Sequence, residues 1–171
     1  SAHRWSTRYR EILVDEYQDT NWAQLQLLKL LSQRYHRVIA VGDDDQSIYA
    51  WRGAEASNIL QFDRHFPAAE MIALTQNYRS TNFILKAANA VIQNNKVRHE
   101  KSLWSNLGEG SKPEFRRFKT GDEEAQWVAR DIRDKVKGHR IPASNIAILY
   151  RTNAQSRVFE ESLTHYQIPL Q

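Results

Sequence analysis

A chain of 171 residues, 41% hydrophobic and 26% charged, can build one domain or two small ones around a real core. The absence of cysteine excludes a disulfide framework and any thiolate metal site, and fits a reducing compartment. A net charge of +4 permits contact with nucleic acid, although a mildly basic surface accounts for it equally well.

The pattern begins at Ile12-Leu13-Val14, a short apolar run that predicts a buried strand. A helix is expected from Trp22 to Ser32, with Leu25, Leu28 and Leu30–Leu31 on its buried side, and then a second strand over Val38–Val41. Glu55 to Phe62 predicts a short helix, and Met71–Leu74 a third strand. The next helix starts at Ser80 or Thr81, either of which can cap it, and runs to Ile92 before Asn94-Asn95 breaks it. Lys96 to Lys112 is polar, contains glycine and predicts a surface loop. Phe115–Phe118 is a further expected strand. Ala125, Val128, Ala129 and Ile132 line one face of a helix from Asp122 to Val136. Ile146–Tyr150 predicts a last buried strand and Ala154–His165 a last helix. Short apolar strands between helices imply parallel sheet in an α/β fold.

Three polar strings carry the chemistry. Asp15-Glu16, continued by Tyr17-Gln18-Asp19-Thr20-Asn21, ends the first strand. Adjacent carboxylates there clear the sheet where ligands bind in open α/β folds, so one can hold Mg²⁺ while its neighbour polarises a water. An acidic strand end without chemistry is the plain alternative. Gly42-Asp43-Asp44-Asp45-Gln46-Ser47-Ile48-Tyr49-Ala50-Trp51-Arg52-Gly53-Ala54 follows the second strand. Within it the Gln46 amide can contact a phosphate or a water and report its loss, and Gln18 is a second candidate for that network. Tyr49, Trp51 and Arg52 can stack on bases and contact phosphate, yet composition alone favours core packing for such a cluster. The third string is Leu74-Thr75-Gln76-Asn77-Tyr78-Arg79-Ser80-Thr81, where a flat ring stands beside a permanent cation.

In this order the strings resemble motifs II, III and IV of the UvrD/Rep/PcrA superfamily-one DNA helicases, and the resemblance covers nearly all residues from Ile12 onward. It implies ATP and Mg²⁺ as cofactors, with Asp15 on the metal, Glu16 as catalytic base and Gln46 coupling the nucleotide to the DNA site. Tyr78 would pack against adenine, and Arg79 would reach the γ-phosphate. Trp51 would stack on a single-stranded DNA base, with Tyr49 and Arg52 lining the same channel. Tyr150-Arg151-Thr152-Asn153-Ala154-Gln155-Ser156-Arg157 resembles a stretch of the second motor domain. Arg151, Thr152 and Asn153 there can donate to phosphate, and a solvated strand end explains them equally well. The implied fold is α/β, with parallel-sheet RecA-like motor domains, parts of two. Residues 1–78 would be the C-terminal half of the first RecA-like ATPase domain and 79–171 the N-terminal half of the second.

None of the six glycines, at 42, 53, 108, 110, 121 and 138, completes a G-x-x-x-x-G-K-[ST] phosphate loop. The chain thus carries the acidic half of an ATP site without the phosphate-gripping half. The expectation is a central piece of an ATP-dependent DNA helicase, inactive alone, whose parent acts on single-stranded DNA and duplex junctions. The alternative is a non-enzymatic module that binds single-stranded DNA or a helicase. The six histidines, at 3, 36, 65, 99, 139 and 165, show no metal-ligand spacing. No apolar run reaches membrane-spanning length and Ser1-Ala2-His3-Arg4-Trp5 lacks a signal-peptide core, so a cytoplasmic location is expected and no membrane contact. Nothing in the sequence points to a protein partner.

Overall fold

Helix α1 (Ala2–Ser6) leads into strand β1 (Ile12–Val14) in the computed structural model, which describes residues 2–138 and 141–170. His139, one of the scattered histidines, lies outside them. The chain divides into two compact units, Ser1–Pro113 and Glu114–Gln171.

In the first unit β1 pairs in parallel with β2 (Val38–Ala40), placing Ile12 opposite Val38, Leu13 opposite Ile39 and Val14 opposite Ala40. Parallel strands need a crossover, and α2 (Trp22–Ser32) supplies it. Asn21 starts α2 with a reciprocal cap: its Oδ1 accepts from the Gln24 backbone N–H, and Gln24 Oε1 accepts from the Asn21 N–H, both at 2.9 Å. Leu25 and Leu28 are buried, whereas Leu30 is exposed and Leu31 only half-buried. The expected Glu55–Phe62 helix is split at Gln61 into α3 (Ser57–Leu60) and α4 (Phe62–His65). Helix α5 (Asn82–Ile92) follows Thr81 as expected, but of its apolar residues only Leu85 is buried.

The Lys96–Lys112 segment is a loop, yet α5 grips it. Asn82 Oδ1 accepts from Ser105 N–H at 3.0 Å while its Nδ2 donates to the carbonyls of Ser105 and Gly108 at 2.8 and 3.1 Å. Two turns along, Asn89 does the same to Leu103, accepting at 3.2 Å and donating at 2.9 Å. Each side-chain amide stands in for a peptide group and satisfies loop backbone that no strand reaches. Gly110 closes the loop with φ of +70°, and a Cβ there would lie 2.2 Å from Thr81 Oγ1, so only glycine fits.

Among the described residues the second unit has two α-helices and a short core. α6 (Gly121–Gly138) has Asp122, Glu123 and Glu124 in its first turn and Lys135 and Lys137 in its last, which suits the helix dipole. Its Ala129 and Ile132 pack with Leu163 of α7 (Ser156–His165) and with Ile168. Ala125 is also fully buried, and Val128 lies against the core, as the helical spacing predicts.

Three expected strands are corrected. Met71–Leu74, Phe115–Phe118 and Ile146–Tyr150 form no ladder among the described residues; only a single parallel bridge, Gln76 to Trp104, follows the first of them. Their apolar character is real, but a strand exists only where a neighbour supplies N–H and C=O groups, and among the described residues none lies alongside. Met71, Ile72 and Leu74 are each more than 70% exposed, as are Phe115 and Leu149. The α/β reading therefore holds coarsely, as helices around a small parallel sheet. No helix among the described residues is long and apolar enough to cross a membrane.

Candidate functional site

Both acidic strings lie at the carboxyl ends of β1 and β2, where parallel pairing brings them side by side. Asp15 and Glu16 leave β1 exposed. Glu16 takes a left-handed backbone, φ 49° and ψ 42°, which turns the chain into the 3₁₀ turn Tyr17–Asp19. For a residue with a Cβ that conformation costs about 1–2 kcal/mol. The turn buries the next two side chains. Tyr17 is fully buried with its ring edge-on to Phe62 at 5.1 Å, and burial pushes its hydroxyl up to about 12.

Gln18, 2% exposed, joins the two strings. Its Nε2 donates to Glu16 Oε2 at 2.7 Å and its Oε1 accepts from the Asp43 backbone N–H at 3.0 Å. Asp43 Oδ2 in turn accepts from Gln46 Nε2 at 2.9 Å. A continuous path therefore runs Glu16–Gln18–Asp43–Gln46. Gly42 makes room for it: a Cβ there would lie 2.6 Å from Gln18 Oε1 and 2.9 Å from Ile59 Cδ1. Gln18 was only a secondary candidate in the sequence, and nothing there marked Gly42.

Asp43, Asp44 and Asp45 each offer an oxygen within 4.8 Å of the others, a spacing a metal could use. Protein cations already occupy it. Lys101 Nζ lies 2.8 Å from Asp43 Oδ1, 2.8 Å from Asp44 Oδ1 and 3.0 Å from Asp45 Oδ2. Arg98 binds both oxygens of Asp45, with Nη2 to Oδ2 at 2.8 Å. The Arg98 guanidinium holds the Asp45 carboxyl at about 2 against the opposing effect of burial. At Asp44, burial raises the carboxyl, but hydrogen bonds from Lys101 and the His99 backbone outweigh it and leave it low. Burial lowers Lys101, and hydrogen bonds to the three aspartates outweigh that and raise it. No sequence spacing points to Lys101 and Arg98, because more than fifty residues separate them from the aspartates.

Tyr49, Trp51 and Arg52 come together. The two rings stand 6.2 Å apart, and the Arg52 guanidinium lies 4.9 Å from the centre of one and 4.5 Å from the other. Trp51 is 71% exposed, so it is not core. Gly53, with φ of 83°, ends the 3₁₀ turn Ala50–Arg52 that presents it.

Tyr78 and Arg79 are exposed. Asn77 Oδ1 fixes the turn that carries them by accepting from the Arg79 and Ser80 N–H groups at 2.9 and 2.7 Å, and Tyr78 Oη donates to Gln76 Oε1 at 3.0 Å. Among the described residues no hydrogen bond or ion pair joins Tyr78 or Arg79 to Asp15, Glu16 or Gln46. In the second unit Arg151, Thr152 and Asn153 are also exposed, and Gln155 Oε1 accepts from the Arg151 and Thr152 N–H groups at 3.0 Å each.

A family model described as the UvrD/REP helicase N-terminal domain matches residues 1–67, and one described as the UvrD-like helicase C-terminal domain matches residues 72–171. The chain is 48% identical over 165 residues to DNA helicase II of Rickettsia typhi, covering 96% of this chain and 25% of that protein. It is 50% identical over 159 residues to ATP-dependent DNA helicase PcrA of Bacillus subtilis, covering 93% of this chain and 22% of that protein. It thus spans about a quarter of the length of these relatives. Since the C-terminal match alone covers more than half of the sequence, the chain belongs to the UvrD-like helicase family.

Proposed function

We propose that this chain is the central portion of an ATP-dependent DNA helicase that couples ATP hydrolysis to movement on single-stranded DNA and unwinding at duplex junctions. The observation that supports it best is the hydrogen-bonded path from Glu16 through Gln18 and Asp43 to Gln46. It ties a carboxylate suited to activating water to an amide suited to sensing phosphate, at the sheet end where open α/β folds bind ligands.

The donor set fits ATP and Mg²⁺. Asp15 offers a hard, exposed carboxylate at the strand end, of the kind Mg²⁺ prefers. Bound there, Mg²⁺ would neutralise charge on the phosphates. Gln18 holds Glu16 Oε2, which leaves Oε1 to accept a proton from the attacking water. Gln46 orients the terminal phosphate or that water, and Arg79 stabilises charge on the phosphoryl group in flight. Tyr78 offers its ring to adenine. Trp51, with Tyr49 and Arg52 beside it, stacks on single-stranded bases without sequence preference. Arg151, Thr152 and Asn153 contact the DNA backbone.

In this reading residues 1–78 and 79–171 belong to successive RecA-like motor domains, and the apolar runs at Met71–Leu74 and Ile146–Tyr150 are strands whose neighbours lie elsewhere in the parent. Without a phosphate loop these 171 residues alone are inactive. The test is Glu16→Gln in the intact parent protein. It keeps size and the hydrogen bond from Gln18 but removes the base, so DNA-stimulated phosphate release should collapse while ATP binding survives. A rate within a few fold of the unaltered protein would defeat the assignment.

A further inference from the structure

We propose that Lys101 is a positioning residue for Gln46, acting through Asp43, and that Arg98 supports it. The proposal rests on the role given to Gln46 above and extends the site to a segment 55 residues away.

The Asp43 carboxylate divides its two oxygens. Oδ2 holds the Gln46 amide, while Oδ1 accepts from the Asp45 backbone N–H at 3.0 Å and from Lys101 at 2.8 Å. Rotation of this carboxylate would release Gln46. Besides the Asp45 N–H, what opposes rotation is Lys101, whose ammonium sits among three carboxylates in a place where its side chain is only 18% exposed and those of Asp44 and Asp45 only 5%. Take the lysine away and three anions within 4.8 Å of one another remain, with Arg98 committed to Asp45. Their repulsion would drive Asp43, the most exposed, outward.

The cations are themselves fixed in place. Arg98 Nη2 donates to the Lys101 carbonyl at 3.2 Å, closing the turn that aims both side chains, and the His99 N–H donates to Asp44 Oδ2 at 2.9 Å. Beyond Lys101, the Asn89 clasp on Leu103 ties the segment to α5. The turn that bears Gln46 is therefore set from one side by Gln18 and from the other by the loop that follows α5. A surface ion pair contributes little because solvent screens it, but a triply shared, mostly buried ammonium fixes geometry.

The test uses the intact parent and compares Lys101→Met, Lys101→Arg, Gln46→Ala and the Lys101→Met/Gln46→Ala double variant, with rates taken per folded molecule. Loss of about an ångström of registration can lower turnover by about ten- to a hundred-fold. Lys101→Met should therefore lower kcat for DNA-stimulated ATP hydrolysis by about ten-fold or more with a smaller change in KM, and Lys101→Arg should recover most of the loss. In the Gln46→Ala background Lys101→Met should have no further effect, because the two residues act through one group. Losses that multiply in the double variant, or an unchanged kcat with only a lower melting temperature, would overturn the proposal and leave Lys101 a stabilising ion pair. If Lys101→Met fails to fold, Asp43→Ala takes its place in the same cycle, with the same two outcomes. If Gln46→Ala itself leaves hydrolysis unchanged, the role of Gln46 falls, and the proposal falls with it. A deficient Gln46→Ala beside a normal Lys101→Met refutes the proposal alone.

Discussion

Replacing Gly42 with alanine tests the Glu16–Gln18–Asp43 path at its tightest point. The added Cβ would meet Gln18 Oε1 at 2.6 Å, Ile59 Cδ1 at 2.9 Å and the Gln18 backbone nitrogen at 3.2 Å. The isoleucine methyl can swing aside, but the Gln18 oxygen cannot move without releasing the Asp43 N–H, and the same amide holds Glu16. A buried polar group left without its partner costs about 1–3 kcal/mol, and the lower chain entropy of alanine in the unfolded state returns about 0.4–1 kcal/mol. The net is on the order of 1–2 kcal/mol, concentrated at residues 41–46. Global melting of a parent as long as the helicases it resembles would blur so local a change. Amide hydrogen exchange of the intact parent, followed on peptides spanning 41–46, resolves it: 1–2 kcal/mol corresponds to exchange faster by about five- to thirty-fold. DNA-stimulated hydrolysis should fall as well, because Glu16 loses the donor that orients it. Unchanged exchange together with unchanged turnover would refute the claim that Gln18 is the structural link between the two strings.

Trp51→Ala in the parent should weaken single-stranded DNA binding by roughly ten- to a hundred-fold, the worth of one stacked base, with basal ATP affinity little changed. Because the ring is 71% exposed, the melting temperature should hardly move; a large drop with normal DNA affinity would contradict the exposed placement. Acid should weaken the Asp45–Arg98 pair. A carboxyl held at about 2 instead of 3.8 adds on the order of 2 kcal/mol of stability, fully present above pH 4 and lost as pH falls toward 2. In urea titrations the gap between the unaltered protein and Asp45→Asn should therefore narrow over that window, and a constant gap would show that the pair adds nothing.

What the sequence disclosed follows from the range of each interaction. β1, α2, β2, α6 and α7 were legible because their apolar spacing and caps are local, as with Asn21 and Gln24. Ile146–Tyr150 reads as a strand for the same local reason, yet pairing is a property of two segments and its partner is not written beside it. The acidic and aromatic strings marked Asp15, Glu16, Gln46 and Trp51 as candidates, and the structure joins Glu16 to Gln46 and exposes Trp51. It leaves Tyr78 and Arg79 unconnected to them among the described residues. Gln18 was blurred by its surroundings, since a glutamine inside a polar string gives no sign that it will be buried. The cations at 98 and 101 were illegible because no spacing rule reaches from them to the aspartates at 43–45.

With Glu16 as the base proposed above, its left-handed backbone sets stability against chemistry at a single position. Glycine would relax it and asparagine would tolerate it, so substitutions chosen only for thermostability would be drawn to this residue. Each would remove the carboxylate that Gln18 holds. Glu16→Gly should therefore leave the melting temperature little changed, because relief of the backbone is offset by the Gln18 amide that loses its partner, while in the proposed reading hydrolysis disappears. A stability screen that does not also assay turnover would then pass a well-folded protein with a dead site.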